Sequence, residues 1–375
     1  MPAGWSCSFT FSFPITRAVL DSRALLRWHP CRMKLVRTLL LSIAFAAFAS
    51  ADDQWITYEG KEGPGKGKRV VLIAGDEEYR SEEVLPMLGK LLSQRHGFTC
   101  TVLFAIHKET GEIDPGTPDN LPGSEQIDKA DIVITSLRFR RWPDEQFRHF
   151  ADYVKAGKPV IGLRTSTHAF SGIKGEYSAF NAFGKKVFGE GWVSHWGRHK
   201  SEATRGVIEA AGKGDVLLRG VSDLFGDTDV YEAYPPTDAK ILVRGQVLKG
   251  MSPGDEPADY KKNRATDKLE QGVNEPAMPV VWTRVNDNEF GKGNKVLCTT
   301  MGSATDLQNE GLRRLVVNAA YAFTGLEIPT KADVEYVDPY KPLFYGFNGY
   351  RKGLKVSDQV LGKALPELPL ANEKK

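Results

Sequence analysis

The chain has 375 residues, 41% of them hydrophobic and 26% charged, with a formal net charge of +3. The basic excess lies in residues 1–51, which hold six Lys/Arg and one Asp. The remaining 324 residues carry 44 basic and 46 acidic side chains, a net of −2, and no basic stripe that would serve nucleic acid. Of the four cysteines, Cys7 and Cys31 fall in that leading segment. Cys100 and Cys298 sit inside predicted strands, as buried free thiols or as one disulfide, and no Cys-x-x-Cys zinc pattern is present.

Residues 1–32 lack periodicity and read as a stretch upstream of the true start. Met33-Lys34-Leu35-Val36-Arg37, an apolar run over 38–48 and Ala49-Ser50-Ala51 have the form of a signal peptide over 33–51. Its apolar part is too short to span a bilayer. The expectation is an exported, periplasmic or extracellular chain, cleaved after Ala51 and without a membrane span. Residues 52–68 read as a flexible lead-in.

From there the pattern alternates. Val70–Ala74 is a continuous apolar run suited to a central parallel strand. A helix follows from Ser81, with Val84, Leu85, Leu88, Leu91 and Leu92 on one period and Pro86 tolerated only near its first turn. Thr99–Phe104, Asp131–Ser136 and Pro159–Leu163 are the next strands. A helix between the last two opens at Pro143 and stops at Gly157. Val207–Ala210, Lys240–Val247, Pro279–Val285 and Lys295–Thr300 add strands in the second half. Residues 250–276 read as a surface insertion, and Leu312, Leu315, Val316, Ala319 and Phe323 mark a closing helix ended by Gly325. Residues 330–375 form a tail without a sustained period. The order predicts an α/β fold. Its sheet is doubly wound and mostly parallel, flanked by helices, with β-rich insertions in the second half.

In such sheets ligands bind outside the carboxyl ends of the strands. Arg164, Ser166, Thr167 and His168 leave Pro159–Leu163 there. Asp76, Glu77 and Glu78 leave the first strand, and Arg138 leaves the third. Glu78 is read as an acidic complement to the following helix dipole. For Arg164 the competing reading is an internal ion pair with Asp76 or Glu77. Ser194-His195-Trp196-Gly197-Arg198-His199 brings two histidines into a Gly-broken loop. Trp192, Trp196 and Tyr231 are rings that could stack on a sugar face. Ser166 lacks the flanking glycines of a nucleophile elbow.

Several ordered pieces carry a family resemblance over about 69–329. They are Lys158–His168, Phe183-Gly184, Phe188-Gly189, Trp192-Val193-Ser194-His195, Asp229-Val230-Tyr231-Glu232, Pro279–Arg284 and Thr299–Ser303. Together they resemble the ThuA-like family, named after trehalose utilisation proteins. That likeness implies a class I glutamine amidotransferase-like (flavodoxin-like) fold and a carbohydrate substrate. Arg164 stands where such a fold would place a nucleophilic Cys, which excludes a thiol-dependent amidotransferase. It also stands where family members often carry His, and Gly302-Ser303 stands where they carry Gly-His.

The expected function is an enzyme acting on a sugar or oxidised sugar, by hydrolysis, elimination or isomerisation. His168 or His195 would donate a proton, Asp76 or Glu77 would act as base, and Arg164 would clamp an oxyanion or carbonyl. Arg138, Ser166, Thr167, Trp192, Trp196, His199, Tyr231, Glu232 and Ser303 would bind the substrate. The partner is a small-molecule carbohydrate. No cofactor is expected; a divalent metal, if one binds, would take His195 and His199. The rival reading is a non-catalytic glycan-binding protein with a degraded active site.

Overall fold

Strand Arg69–Gly75 alternates nothing: Val70 to Gly75 are all buried, so both faces of the strand must be covered. Val70, Leu72 and Ala74 pack into one apolar cluster, and Val71 and Ile73 into another on the opposite face. This strand is the spine of a three-layer arrangement. The computed structural model describes residues 54–372, except residue 289 and the side chains of 286–288. The segments read as an upstream stretch and a signal peptide lie outside the described residues.

In chain order the strands are β1 (Trp55–Tyr58), β2 (Arg69–Gly75), β3 (Thr99–Phe104), β4 (Ile132–Leu137), β5 (Val160–Leu163), β6 (Ser194–His195) and β7 (Thr204–Ile208). They continue with β8 (Phe225–Gly226), β9 (Tyr231–Glu232), β10 (Lys240–Val247), β11 (Lys261–Asn263), β12 (Glu270–Gly272), β13 (Met278–Asn288) and β14 (Gly291–Thr299). Helices are α1 (Ser81–His96), α2 (Asp144–Lys155) and α3 (Glu310–Phe323). One ten-stranded sheet runs β1-β3-β2-β4-β5-β14-β13-β10-β7-β8. Its centre, β3-β2-β4-β5-β14, is parallel. The edges, β1 on one side and β13-β10-β7-β8 on the other, are antiparallel. Helices α1 and α3 cover one face and α2 the other. The expectation of a mixed α/β fold around a parallel core therefore agrees with the structure, while the second half extends the same sheet with antiparallel strands.

Helix α1 stops at Gly97, whose φ of 82° brings its own N–H to the Ser93 carbonyl and the Phe98 N–H to the Leu92 carbonyl. Pro86 lies in the second turn of the helix. A proline there cannot donate to the carbonyl of Glu82. That carbonyl instead accepts 3.0 Å from the side-chain amide of Gln359, in the C-terminal tail. Helix α3 starts on Asn309, whose side chain accepts the Leu312 N–H at 2.8 Å.

Three segments differ from expectation. The lead-in carries edge strand β1, and Tyr58 is buried with its hydroxyl donating 2.7 Å to the Gln359 carbonyl. Strand β7 starts three residues before the expected Val207, because its register against β10 pairs Thr204 with Val247. The 250–276 insertion holds hairpin β11–β12, and Lys262 donates from it to the carbonyls of His195 and Trp196 at 3.0 and 2.8 Å. The tail also packs inward: Tyr345, Leu354 and Val356 are buried. Among the described residues no helix is long and apolar enough to cross a membrane.

Candidate functional site

The site stands where β5 ends. Arg164 takes a φ of 42°, so the chain turns sharply out of the sheet. Its N–H is held by the Met301 carbonyl at 3.2 Å. The next segment fits close against this elbow: a Cβ on Gly184 would stand 1.8 Å from the Thr167 carbonyl oxygen, so only glycine allows that approach.

The Arg164 guanidinium turns inward and is fully buried. One nitrogen donates to the carbonyls of Asp229 and Thr300 at 2.7 and 2.6 Å, the other to Asp229 Oδ1 at 2.9 Å and the Tyr79 hydroxyl at 3.2 Å. The ring of Tyr231 lies 3.7 Å from it. Its partner is thus Asp229, neither Asp76 nor Glu77, and it is spent on structure rather than facing a ligand.

Asp229 organises what surrounds it. Besides Arg164, its carboxylate takes His195 Nδ1 at 2.7 Å on Oδ2 and His199 Nδ1 at 3.0 Å on Oδ1. The far nitrogen of His199 lies 3.1 Å from Glu78 Oε1. Burial alone would raise the Asp229 pKa, but Arg164 and the two histidines hold it well below the usual carboxylate range. The hydrogen bonds from Asp229 and Glu78 push His199 up to about 9. His195, His199 and Asp229 offer donor atoms within 4.8 Å of one another, so these are the residues that could hold a metal ion.

A row of rings opens from this cluster to solvent. Trp192 is 38% exposed, with centroid distances of 4.9 Å to His195, 5.1 Å to His168 and 4.6 Å to Tyr231. Phe139 flanks the other side of His168 at 5.1 Å, and Tyr345 flanks His199 at 5.6 Å. Burial, reinforced by the charges of Arg138 and Arg164, drives His168 down to about 3. It is a neutral imidazole, with Nδ1 3.1 Å from the Thr167 hydroxyl.

Other expected site residues are spent elsewhere. Asp76 is buried in a turn, where Oδ1 accepts the N–H of Glu78 and Tyr79 at 2.7 and 3.0 Å and Oδ2 accepts the Thr165 hydroxyl. Glu77 is paired with Arg138 and with Arg140, the latter at 2.9 Å. Neither is placed to act as a base. Ser166 donates 2.9 Å to the Thr135 carbonyl, and Thr167 is buried. Trp196 is fully buried with its N–H on the Val273 carbonyl at 2.7 Å, so it cannot stack on a ligand. Tyr231 is buried over Arg164, although its ring edge supports Trp192. Glu232 anchors the insertion through the Ala265 N–H at 2.9 Å. Ser303 caps Asp306, accepting its N–H at 2.9 Å. The second-half histidines, Trp192 and His168 come together as a cleft; the acidic exits of β2, Glu78 excepted, do not join them.

Four participants were not singled out for the site from sequence. Asp229 stands two residues before Tyr231, on the same side of an extended segment, and that spacing was the available signal. Glu78 reads as a helix-dipole residue until His199 is in view. Tyr79 and Tyr345 stack at 5.2 Å beneath the cluster, and nothing local to either marks it. A separate cavity of about 280 Å³ lies between α1 and the tail. Among the charges that line it, Lys90 pairs with Asp338 and Arg351 with Glu83.

No protein-family model and no curated protein matches the chain. Among solved structures it is similar to a candidate ThuA-like protein from Parabacteroides merdae, at 15% identity over 70% of this chain and 92% of that one, with a TM-score of 0.40. A second, from Bacteroides uniformis, gives 13% identity over 71% and 94%, with a TM-score of 0.41. An exo-β-1,4-mannosidase from Opitutaceae bacterium strain TAV5 is matched at 11% identity over 68% of this chain and 35% of that one, with a TM-score of 0.28. The solved structures similar to this chain thus include candidate members of the ThuA-like family that its sequence resembles.

Proposed function

We propose that the chain is an exported enzyme of carbohydrate breakdown that passes a proton to a sugar or oxidised sugar held against Trp192. Export rests on the Met33–Ala51 pattern, and the sugar class rests on the family resemblance together with the cleft itself. The parallel strand order β3-β2-β4-β5-β14 supports reading the fold as class I glutamine amidotransferase-like.

One observation carries the reading. A half-exposed indole stands beside an imidazole whose Nδ1 is fixed by a buried carboxylate. The indole face offers a sugar an apolar platform. The Asp229 bond orients His195 and leaves Nε2 for the cleft, where the ring can take up a proton and pass it on. Neutral His168 offers a hydrogen bond to a carbonyl or hydroxyl oxygen without competing for the proton.

Turnover and binding should be measured on a panel of disaccharides and keto-sugars. His195→Ala should cut turnover about 100-fold or more, the scale of a lost acid–base group. Trp192→Ala should weaken binding about 10-fold, the scale of a lost aromatic contact of 0.5–1.5 kcal/mol. Both variants should melt near wild type, since neither side chain is in the core. Wild type that binds sugars without turning any over would replace the enzyme with a glycan-binding protein.

A further inference from the structure

We propose that His195, His199 and Asp229 form a binding site for a first-row divalent cation such as Zn²⁺, with Glu78 steadying His199 from behind. The inference rests on reading this cleft as the functional site, and it names the group that would act there.

The two Nδ1 atoms flank one carboxylate, each beside a different oxygen, at 2.7 and 3.0 Å. Donor atoms on a tetrahedral ion with bonds of about 2.0–2.2 Å stand roughly 3.3–3.6 Å apart, so these side chains need to part by only about 0.5 Å to admit one. A cation in front of Asp229 would meet both oxygens and both nitrogens. Three chain segments converge to make this arrangement: β6 supplies His195, the turn after it His199, and the approach to β9 Asp229.

His199 supplies a second, independent argument. Both its ring nitrogens face carboxylates. A cation on Nδ1 would leave the Nε2 proton for Glu78, and a carboxylate behind a ligating histidine is the usual support of such sites. Two imidazoles with a carboxylate favour Zn²⁺ and its neighbours over Mg²⁺ or Ca²⁺. With Nδ1 of His195 on the ion, its Nε2–H can donate a hydrogen bond to a ligand in the cleft.

The purified chain should be stripped with EDTA, freed of chelator and titrated with Zn²⁺ alone by calorimetry, with thermal melting in parallel. One saturable equivalent and a raised melting temperature are expected. His195→Ala and His199→Ala should each weaken binding at least 100-fold. Glu78→Gln should weaken it about 10- to 100-fold, the range for an outer partner of a ligand. Circular dichroism identifies any variant that fails to fold; His195→Ala, altering the more exposed ring, then decides. Absence of a saturable site in the folded wild type overturns the proposal, as does wild-type affinity in both histidine variants. Sugar turnover by the stripped chain without Zn²⁺ uptake removes the ion and keeps the sugar reading. Zn²⁺ binding without any sugar binding supports the ion and removes the sugar reading.

Discussion

Arg164 is legible in the sequence as an unusual residue at the end of a buried strand, but its direction is not. Whether a strand-end side chain points at solvent or into the layer beneath depends on a backbone angle and on distant partners. Here a φ of 42° and the carbonyls of Asp229 and Thr300 turn it inward. Replacing Arg164 with Met keeps the volume and takes from buried Asp229 its guanidinium partner, leaving it to the two histidines. Removing one member of such a pair costs about 3–5 kcal/mol. Urea denaturation should register that loss, and a change within about 1 kcal/mol would mean Arg164 is not a keystone. His168 and His195 were legible as candidates, the first at the exit of a buried strand and the second in a Gly-broken loop beside Trp192. Asp76 was misjudged for a local reason: an Asp two residues before two backbone N–H groups satisfies them itself, forming a turn rather than a base.

At the scale of elements, β2 to β5 and the three helices follow from continuous apolar runs and from 3.6-residue periods, which need no tertiary context. The two-residue strands β6 and β9 carry no period, and they are pieces that shape the cleft. Pro86 shows how an element can be completed from outside. The Glu82 carbonyl it deprives is satisfied by Gln359, 277 residues on. Gln359→Leu should destabilise the fold by about 1–3 kcal/mol, the cost of an unsatisfied buried group. In a Pro86→Ala background the helix can supply its own N–H, so the same substitution should cost measurably less. A double-mutant cycle in denaturant checks this, and equal costs in both backgrounds would refute the compensation.

Across the whole molecule, α1 also carries a charge that the fold does not fully answer. Glu82 is completely buried, with both carboxylate oxygens lacking hydrogen-bond partners, and Arg80 stands 3.8 Å away. Burial pushes its pKa up to about 7, against an ordinary value of 4.5. Between those values the folded chain holds a proton that the unfolded chain has released. Stability from this group is therefore present below about pH 4.5 and lost as pH rises to about 7, a change on the order of 2–3 kcal/mol. Glu82→Gln cannot titrate, so its melting temperature should fall less between pH 5 and pH 8 than that of wild type. Parallel profiles for the two proteins would show that Glu82 contributes no such dependence.

The sequence by itself determined the α/β class and the parallel core, and it pointed to the strand exits as the place of a candidate site. Those properties are written in local periodicity and in the chirality of the chain. Tertiary structure alone decided which charged groups face the cleft. Buried charges choose partners by proximity across the fold, and the contacting pairs His199 with Asp229, Arg164 with Asp229 and Glu78 with His199 lie between 30 and 121 residues apart in sequence. No local pattern records such a meeting, so the cluster became visible only once the sheet had brought its exits together.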